Sequence, residues 1–281
     1  MHIRSGASQS GSGTYIEPMP GLAMVTGASS GIGQAYAKKL AADGRDLMIV
    51  ARRVDRLEQL AARLRDAHRV SVDVIGADLG RPEDVAKLCE AIGGAPLDML
   101  VNNAGLAHYM PFADLPPNLA RELLEVNVSS VVLLSRAAVP GMIERATGSI
   151  VNVASLLAFS GESEQPFFPK RVVYAATKSF VVTFSQLLAQ ELRPHGVQVQ
   201  VVCPGVVRSE FHTRQGMDMS DVSRMEAPDV VRASLIDLAD GVVVSVPGLT
   251  DPDALAAVKT ANAGLLGATR VAELPARYSR A

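Results

Sequence analysis

Short apolar runs alternate along this chain with longer segments whose apolar residues recur at helical spacing. Residues 22–25 predict a first strand, and 34–42 a helix. Residues 46–51 predict a buried strand, after which Leu57, Leu60, Ala61 and Leu64 place a helix over 54–67. The third strand covers 70–77 and ends at Asp78. Pro82, at a first helical position, opens a helix to 92 that Gly93 and Gly94 stop. A fourth strand follows at 97–101. A long helix is predicted over 118–138, ending near Pro140 and Gly141; then come a strand at 149–154 and a helix at 174–192, closed by Pro194 and Gly196. The sixth strand, 197–203, stops at Pro204 and Gly205. The tail predicts a helix at 228–239, a short strand at 242–246 and a last helix from about 251.

Strand and helix alternate with no hairpin signal between them, which argues for right-handed crossovers and a parallel sheet. The predicted class is α/β: a single doubly wound parallel sheet flanked by helices. No repeat or linker divides it, so 21–281 is expected to form one domain behind a Ser/Gly-rich, flexible leader at 1–20.

With 281 residues, of which 48% are hydrophobic, the chain is long enough for one large core. A formal charge of −2 gives no reason to expect nucleic acid or an anionic membrane as partner. Cys89 and Cys203 are too few for a disulfide framework or a cysteine zinc site. No uninterrupted apolar run reaches the roughly 18 residues of a membrane span, and 5–14 lacks a secretory apolar core. These features predict a reducing, cytoplasmic compartment.

In parallel sheets ligands lie beyond the carboxyl ends of the strands. The first strand exits into Gly27, Ala28, Ser29, Ser30, Gly31, Ile32 and Gly33, where three glycines suit a tight turn, approach of a pyrophosphate and close packing of helix on strand. The other exits carry Arg52 and Arg53, Asp78, the turn Asn102 to Gly105, Ser155, and Pro204 with Gly205. Position 52 lies 19 residues beyond Gly33, where an acid usually holds an unphosphorylated ribose. An arginine there favours a 2′-phosphate, hence NADP over NAD, with Arg52 as first choice. Asp78 either bonds an adenine amino group or caps its own turn.

Tyr174 and Lys178, four apart, share a helical face. A nearby ammonium is expected to lower the phenol's pKa and fit it for acid/base work. Together these residues, with Asn127, resemble the short-chain dehydrogenase/reductase family over about 22–246, a Rossmann-type fold. The resemblance implies hydride exchange between a nicotinamide and a carbonyl or secondary alcohol. Tyr174 would act as general acid/base, Ser155 would orient the substrate oxygen, Lys178 would hold the ribose and tune the tyrosine, and Asn127 would support a relay water. It places the cofactor against Gly27, Ser29, Ser30, Gly31, Ile32, Gly33, Arg52, Arg53, Asp78, Leu79, Asn103, Ala104, Gly105, Tyr174, Lys178, Pro204, Gly205 and Val207. It also implies a homodimer or homotetramer and requires no metal.

Ser155 precedes Tyr174 by 19 positions, more than the family usual, and 160–171 reads as an insertion beside the substrate. Ser160, at 14, fits the spacing better, whereas Ser155 fits the strand exit and is preferred. His108 and Tyr109 either line a pocket or pack a loop. The segment 208–227, with Met217, Met219 and Met225, lies where the family keeps a mobile lid. His68, His195 and His212 show no metal spacing. The resulting expectation is an NADP-dependent oxidoreductase of a small or medium apolar carbonyl compound. The rivals are an NAD-preferring relative and a non-catalytic dinucleotide-binding sensor or scaffold.

Overall fold

The computed structural model describes residues 21–161, 170–268, 274 and 278. The expected leader and most of the expected insertion lie outside the described residues. In chain order the elements are β1 (Leu22–Thr26), α1 (Gly31–Ala42), β2 (Asp46–Ala51), α2 (Val54–His68), β3 (Val72–Gly76), α3 (Pro82–Gly93), β4 (Leu97–Asn102), α4 (Pro117–Leu124), α5 (Ser130–Glu144), β5 (Gly148–Val153), α6 (Val172–Leu192), β6 (Val197–Val202), β7 (Val207–Arg208), α7 (Glu210–Thr213), β8 (Met225–Glu226), α8 (Ala227–Ala239), β9 (Val244–Ser245) and α9 (Pro252–Ala268).

Seven parallel strands form the sheet in the order β3-β2-β1-β4-β5-β6-β9, while β7 and β8 pair separately. The order reverses between β1 and β4, and that switch point opens the crevice in which such sheets bind ligands. Alternate side chains on each strand feed opposite cores. Ala23, Val25, Leu47 and Ile49 pack with α1, α2 and α8, whereas Met24, Met48 and Val50 pack with α3, α5 and α6.

Buried polar groups bind the layers together. Tyr36 Oη donates to Ser234 Oγ at 2.5 Å, and Ser234 Oγ donates to Gln200 Oε1 at 2.7 Å. On the other side, Asn102 Nδ2 donates to Asn152 Oδ1 at 2.9 Å, and Asn152 Nδ2 donates to Ser185 Oγ at 2.9 Å. Each chain spans three elements and leaves its donors satisfied in a dry interior.

One expectation needs correction. The helix predicted over 118–138 is helical from Pro117 to Glu144, with one π turn at Glu125–Ser129, and Pro140 lies inside it. Proline lacks one hydrogen-bond donor, but Leu134, Ala138 and Met142, packed under the sheet, hold the helix together around it. Pro117–Glu144 and Val172–His195 are also long and apolar enough, by length and hydropathy, to cross a membrane. Both bury a face against strands, which accounts for that apolarity.

Candidate active site

The turn after β1 is built by positive φ at Gly27 (68°) and Gly31 (56°), a region in which side chains are strained. It is pressed against the turn after β4. A Cβ on Gly27 would lie 2.7 Å from Asn103 Nδ2 and 2.9 Å from Ala104 Cα. Thr26 clamps the two turns: its Oγ1 accepts the N–H groups of Asn103 and Ala104, both at 3.0 Å, and donates to Val101 O at 3.3 Å. Asn103 Nδ2 donates back to Thr26 O at 2.9 Å.

A cavity of about 610 Å³ runs from this turn along the ends of the strands. Every residue expected to touch the cofactor lines it except Gly33. Gly33 lies behind the wall, where a Cβ would collide with the Asn103 amide and the Gly27 carbonyl. The glycine cradle, the start of α1 and the adjacent guanidinium groups fit a pyrophosphate.

The two arginines both line the cavity but turn in different directions. Arg52 is 57% exposed and turns toward Asp78 Oδ2 and Glu122 Oε1, both at 3.8 Å. Arg53, immediately before α2, folds back over the glycine turn. Its Nη2 donates to Ser29 Oγ at 2.8 Å and Ser30 Oγ at 2.9 Å, and its Nη1 to Glu210 Oε2 at 2.9 Å. Arg53 therefore stands beside the turn, and Arg52 lines the cavity on the side of Asp78. Asp78 Oδ1 accepts the Gly80 N–H at 3.0 Å while its own N–H donates to Asp84 Oδ2 at 3.1 Å, so Asp78 braces its turn as well as lining the cavity.

Ser155, at the end of β5, and Tyr174 and Lys178, one turn apart on α6, meet at the far side of the cavity. The Ser155 hydroxyl hydrogen-bonds the Tyr174 phenol and accepts the Leu157 N–H at 3.2 Å. Ser160 Oγ instead donates to Leu157 O at 2.8 Å, away from the cavity wall. The expected lowering of the phenol's pKa does not occur. Burial pushes Tyr174 upward, Tyr109 adds to this, and the Ser155 hydrogen bond opposes it. Burial likewise pushes Lys178 down to about 8. Its Nζ donates to Val153 O at 2.9 Å and stands 5.9 Å from the centre of the Tyr174 ring. Both groups are dry, and desolvation disfavours the charged form of each.

Asn127 lies in the π turn, outside the cavity wall. Its Oδ1 accepts the Leu106 N–H at 3.0 Å, and its Nδ2 donates to Leu106 O at 2.9 Å and Thr177 Oγ1 at 3.2 Å. It clips the chain beyond Gly105 to α6.

Around Tyr174 the wall is aromatic. Tyr109 meets it edge-on at 5.6 Å between ring centres, with burial pushing the Tyr109 phenol up to about 12, and Phe211 lies tilted at 6.0 Å. His108 turns away to Glu122, Nε2 to Oε2 3.1 Å. Met217, Met219 and His212 also line the cavity, whereas Met225 enters β8 and packs on the core. Burial, with Arg224 adding, lowers the His212 pKa. Phe211 and Glu210 escaped sequence reasoning, although Glu210 stands four residues before Arg214, a legible ion-pair spacing. Among the described residues no group of three His, Cys, Asp or Glu side chains could hold a metal ion.

The short chain dehydrogenase family profile matches residues 21–219. Human very-long-chain 3-oxoacyl-CoA reductase is 34% identical over 199 residues, covering 68% of this chain and 62% of the reductase, so the match spans about three-fifths of that relative. A short-chain dehydrogenase from Sphingobium yanoikuyae, solved in complex with NADPH, superposes with a TM-score of 0.87 at 36% identity, over 92% of this chain and 100% of that one. The bulky-bulky ketone specific alcohol dehydrogenase of Comamonas testosteroni gives 0.84 at 32% identity, over 92% and 99%. With the glycine turn, the parallel sheet and the Ser155, Tyr174 and Lys178 cluster all within or beside the matched span, the chain belongs to the short-chain dehydrogenase family.

Proposed function

We propose that this chain is an NADPH-dependent reductase of ketones carrying apolar groups on both sides of the carbonyl. One observation carries the reading: the Ser155 and Tyr174 hydroxyls meet inside a wall built from Leu157, Tyr109, Phe211 and Met219. The Comamonas enzyme's bulky ketone preference and the NADPH of the Sphingobium enzyme support it. When bound, the nicotinamide supplies a hydride.

The chain's own residues do the rest. Ser155 and Tyr174 present hydroxyl donors to an oxygen that becomes negative, an interaction stronger in the transition state than before it. A phenol pushed upward by burial stays protonated at neutral pH and serves as the acid that completes the alcohol. Lys178 fixes the floor through Val153 and supplies positive charge below the phenol. Aromatic and methionine side chains exclude water.

A second reading, reduction of a 3-oxoacyl thioester, is favoured by the human relative. Assays of bulky aryl ketones and 3-oxoacyl thioesters, each with NADPH and NADH, separate the readings. Turnover of bulky ketones with NADPH is expected. Faster thioester reduction would replace the first reading, an NADH preference would give the NAD alternative, and no turnover with tight cofactor binding would indicate a sensor. Exposed Leu124, Leu133, Phe180 and Leu187 on α4, α5 and α6 support a homo-oligomer, which sedimentation measures.

A further inference from the structure

Ser209 and Glu210 lie directly over the glycine turn. A Cβ on Gly31 would come within 3.2 Å of Ser209 Cβ, so the base of the 208–227 segment covers the start of α1. From there the Glu210 carboxylate enters a group of three guanidinium ions. Its Oε2 accepts from Arg53 Nη1 at 2.9 Å and from Arg214, and its Oε1 accepts from Arg56 Nη1 at 2.6 Å. Arg53 simultaneously grips the Ser29 and Ser30 hydroxyls. One carboxylate among three guanidinium ions leaves a formal excess of two positive charges. That excess matches the charge of a phosphate monoester near neutral pH, roughly −2.

We propose that Glu210 is a phosphate-released latch: its carboxylate holds the place on Arg53 and Arg56 that the 2′-phosphate of a dinucleotide takes on binding, and the exchange frees α7 from the glycine turn. This rests on the NADPH reading above. A phosphate brings three acceptor oxygens and two charges against the carboxylate's two oxygens and one charge, so it outcompetes Glu210 for the guanidinium groups. A dinucleotide without that phosphate brings nothing to displace Glu210 and leaves α7 seated on the turn. Arg214, which caps the C-terminal end of the same short helix, leaves with Glu210. Attraction to the guanidinium groups thus supplies the preference for the phosphorylated dinucleotide, while displacement of the internal anion subtracts from it and couples binding to release of α7.

Calorimetric titration of the full chain with adenosine 2′,5′-bisphosphate and with ADP tests this without turnover, comparing wild type, Glu210→Gln, Glu210→Asp and Arg53→Ala. Glu210→Gln is expected to bind the bisphosphate more tightly by on the order of tenfold, with ADP affinity changed by less than about twofold. Glu210→Asp, with a shorter reach, is expected to fall between. In wild type, amide hydrogen exchange over 210–214 is expected to quicken with the bisphosphate and not with ADP. If Arg53→Ala abolishes the preference for the bisphosphate while both Glu210 variants leave it unchanged, the latch is overturned and the NADPH reading stands. If wild type binds both ligands equally, both fall.

Discussion

Lys178 reaches from α6 to the end of β5, where its Nζ donates to the carbonyl oxygen of Val153 at 2.9 Å. The ammonium is therefore engaged by the sheet while the Tyr174 ring stands above it. Its burial has a thermodynamic signature. The ordinary value of 10.5 drops to about 8 in the fold. Below pH 8 both folded and unfolded chains carry the proton, and the folded state bears the desolvation penalty. Between about 8 and 10.5 the unfolded chain holds more protons, so this group's contribution to stability rises with pH. Urea denaturation of wild type and Lys178→Met across that window is expected to show wild type gaining on the variant; parallel curves would refute the assignment.

Glu210 has the opposite sign. Its arginine partners hold the carboxyl down to about 2, against an ordinary 4.5. The stabilisation is complete above 4.5 and is lost as pH falls toward 2. With the side chain 44% exposed, solvent weakens the effect on global stability, so the local readout is the better one. Pepsin cleavage within 208–227 is expected to be slower in wild type than in Glu210→Gln at pH 4.5, with the two converging toward pH 2. Equal cleavage throughout would exclude the clamp.

Tyr174→Phe removes the hydroxyl that delivers the proton. Turnover is expected to fall by roughly 10²–10⁴-fold, with NADPH affinity in fluorescence titration unchanged. Ser155→Ala is expected to follow it, whereas Ser160→Ala, whose hydroxyl donates to the Leu157 carbonyl, is expected to keep wild-type kcat. A collapse of kcat in Ser160→Ala alone would reverse the serine assignment.

Asn127→Ala removes three hydrogen bonds and strands both the N–H and the carbonyl of Leu106. A loss of about 1–2 kcal/mol is expected from these part-buried groups, measured by chemical denaturation. If stability is unchanged while kcat falls, Asn127 serves proton movement rather than the clip.

Much of the frame was legible because strand burial and helix periodicity are local. Leu57, Leu60, Ala61 and Leu64 announced α2, and the glycines between residues 27 and 33 announced a turn whose backbone only they tolerate. What escaped depends on contacts between distant segments. That Arg53 bonds Ser29 and Ser30 while Arg52 faces Asp78 turns on how the backbone leaves β2. The protonation of Tyr174 turns on dryness supplied by Tyr109 and its other neighbours, which a spacing of four residues does not record. Glu210 lies 157 positions from Arg53, and nothing local to either residue reports the pairing. Pro140 read as a stop because its cost is local, while the packing that overrides it comes from the sheet.

The hydrogen-bonded chain through Tyr36, Ser234 and Gln200 also constrains biosynthesis. Its first member leaves the ribosome long before the other two. Until the ribosome has passed residue 234, the Tyr36 hydroxyl lacks its Ser234 partner, and α1 lacks one of the helices against which it packs, α8. Nascent chains stalled short of that point are expected to remain protease-sensitive around α1, becoming resistant only when α8 emerges. The last third of the translation product would thus set when the first glycine turn becomes able to hold a ligand.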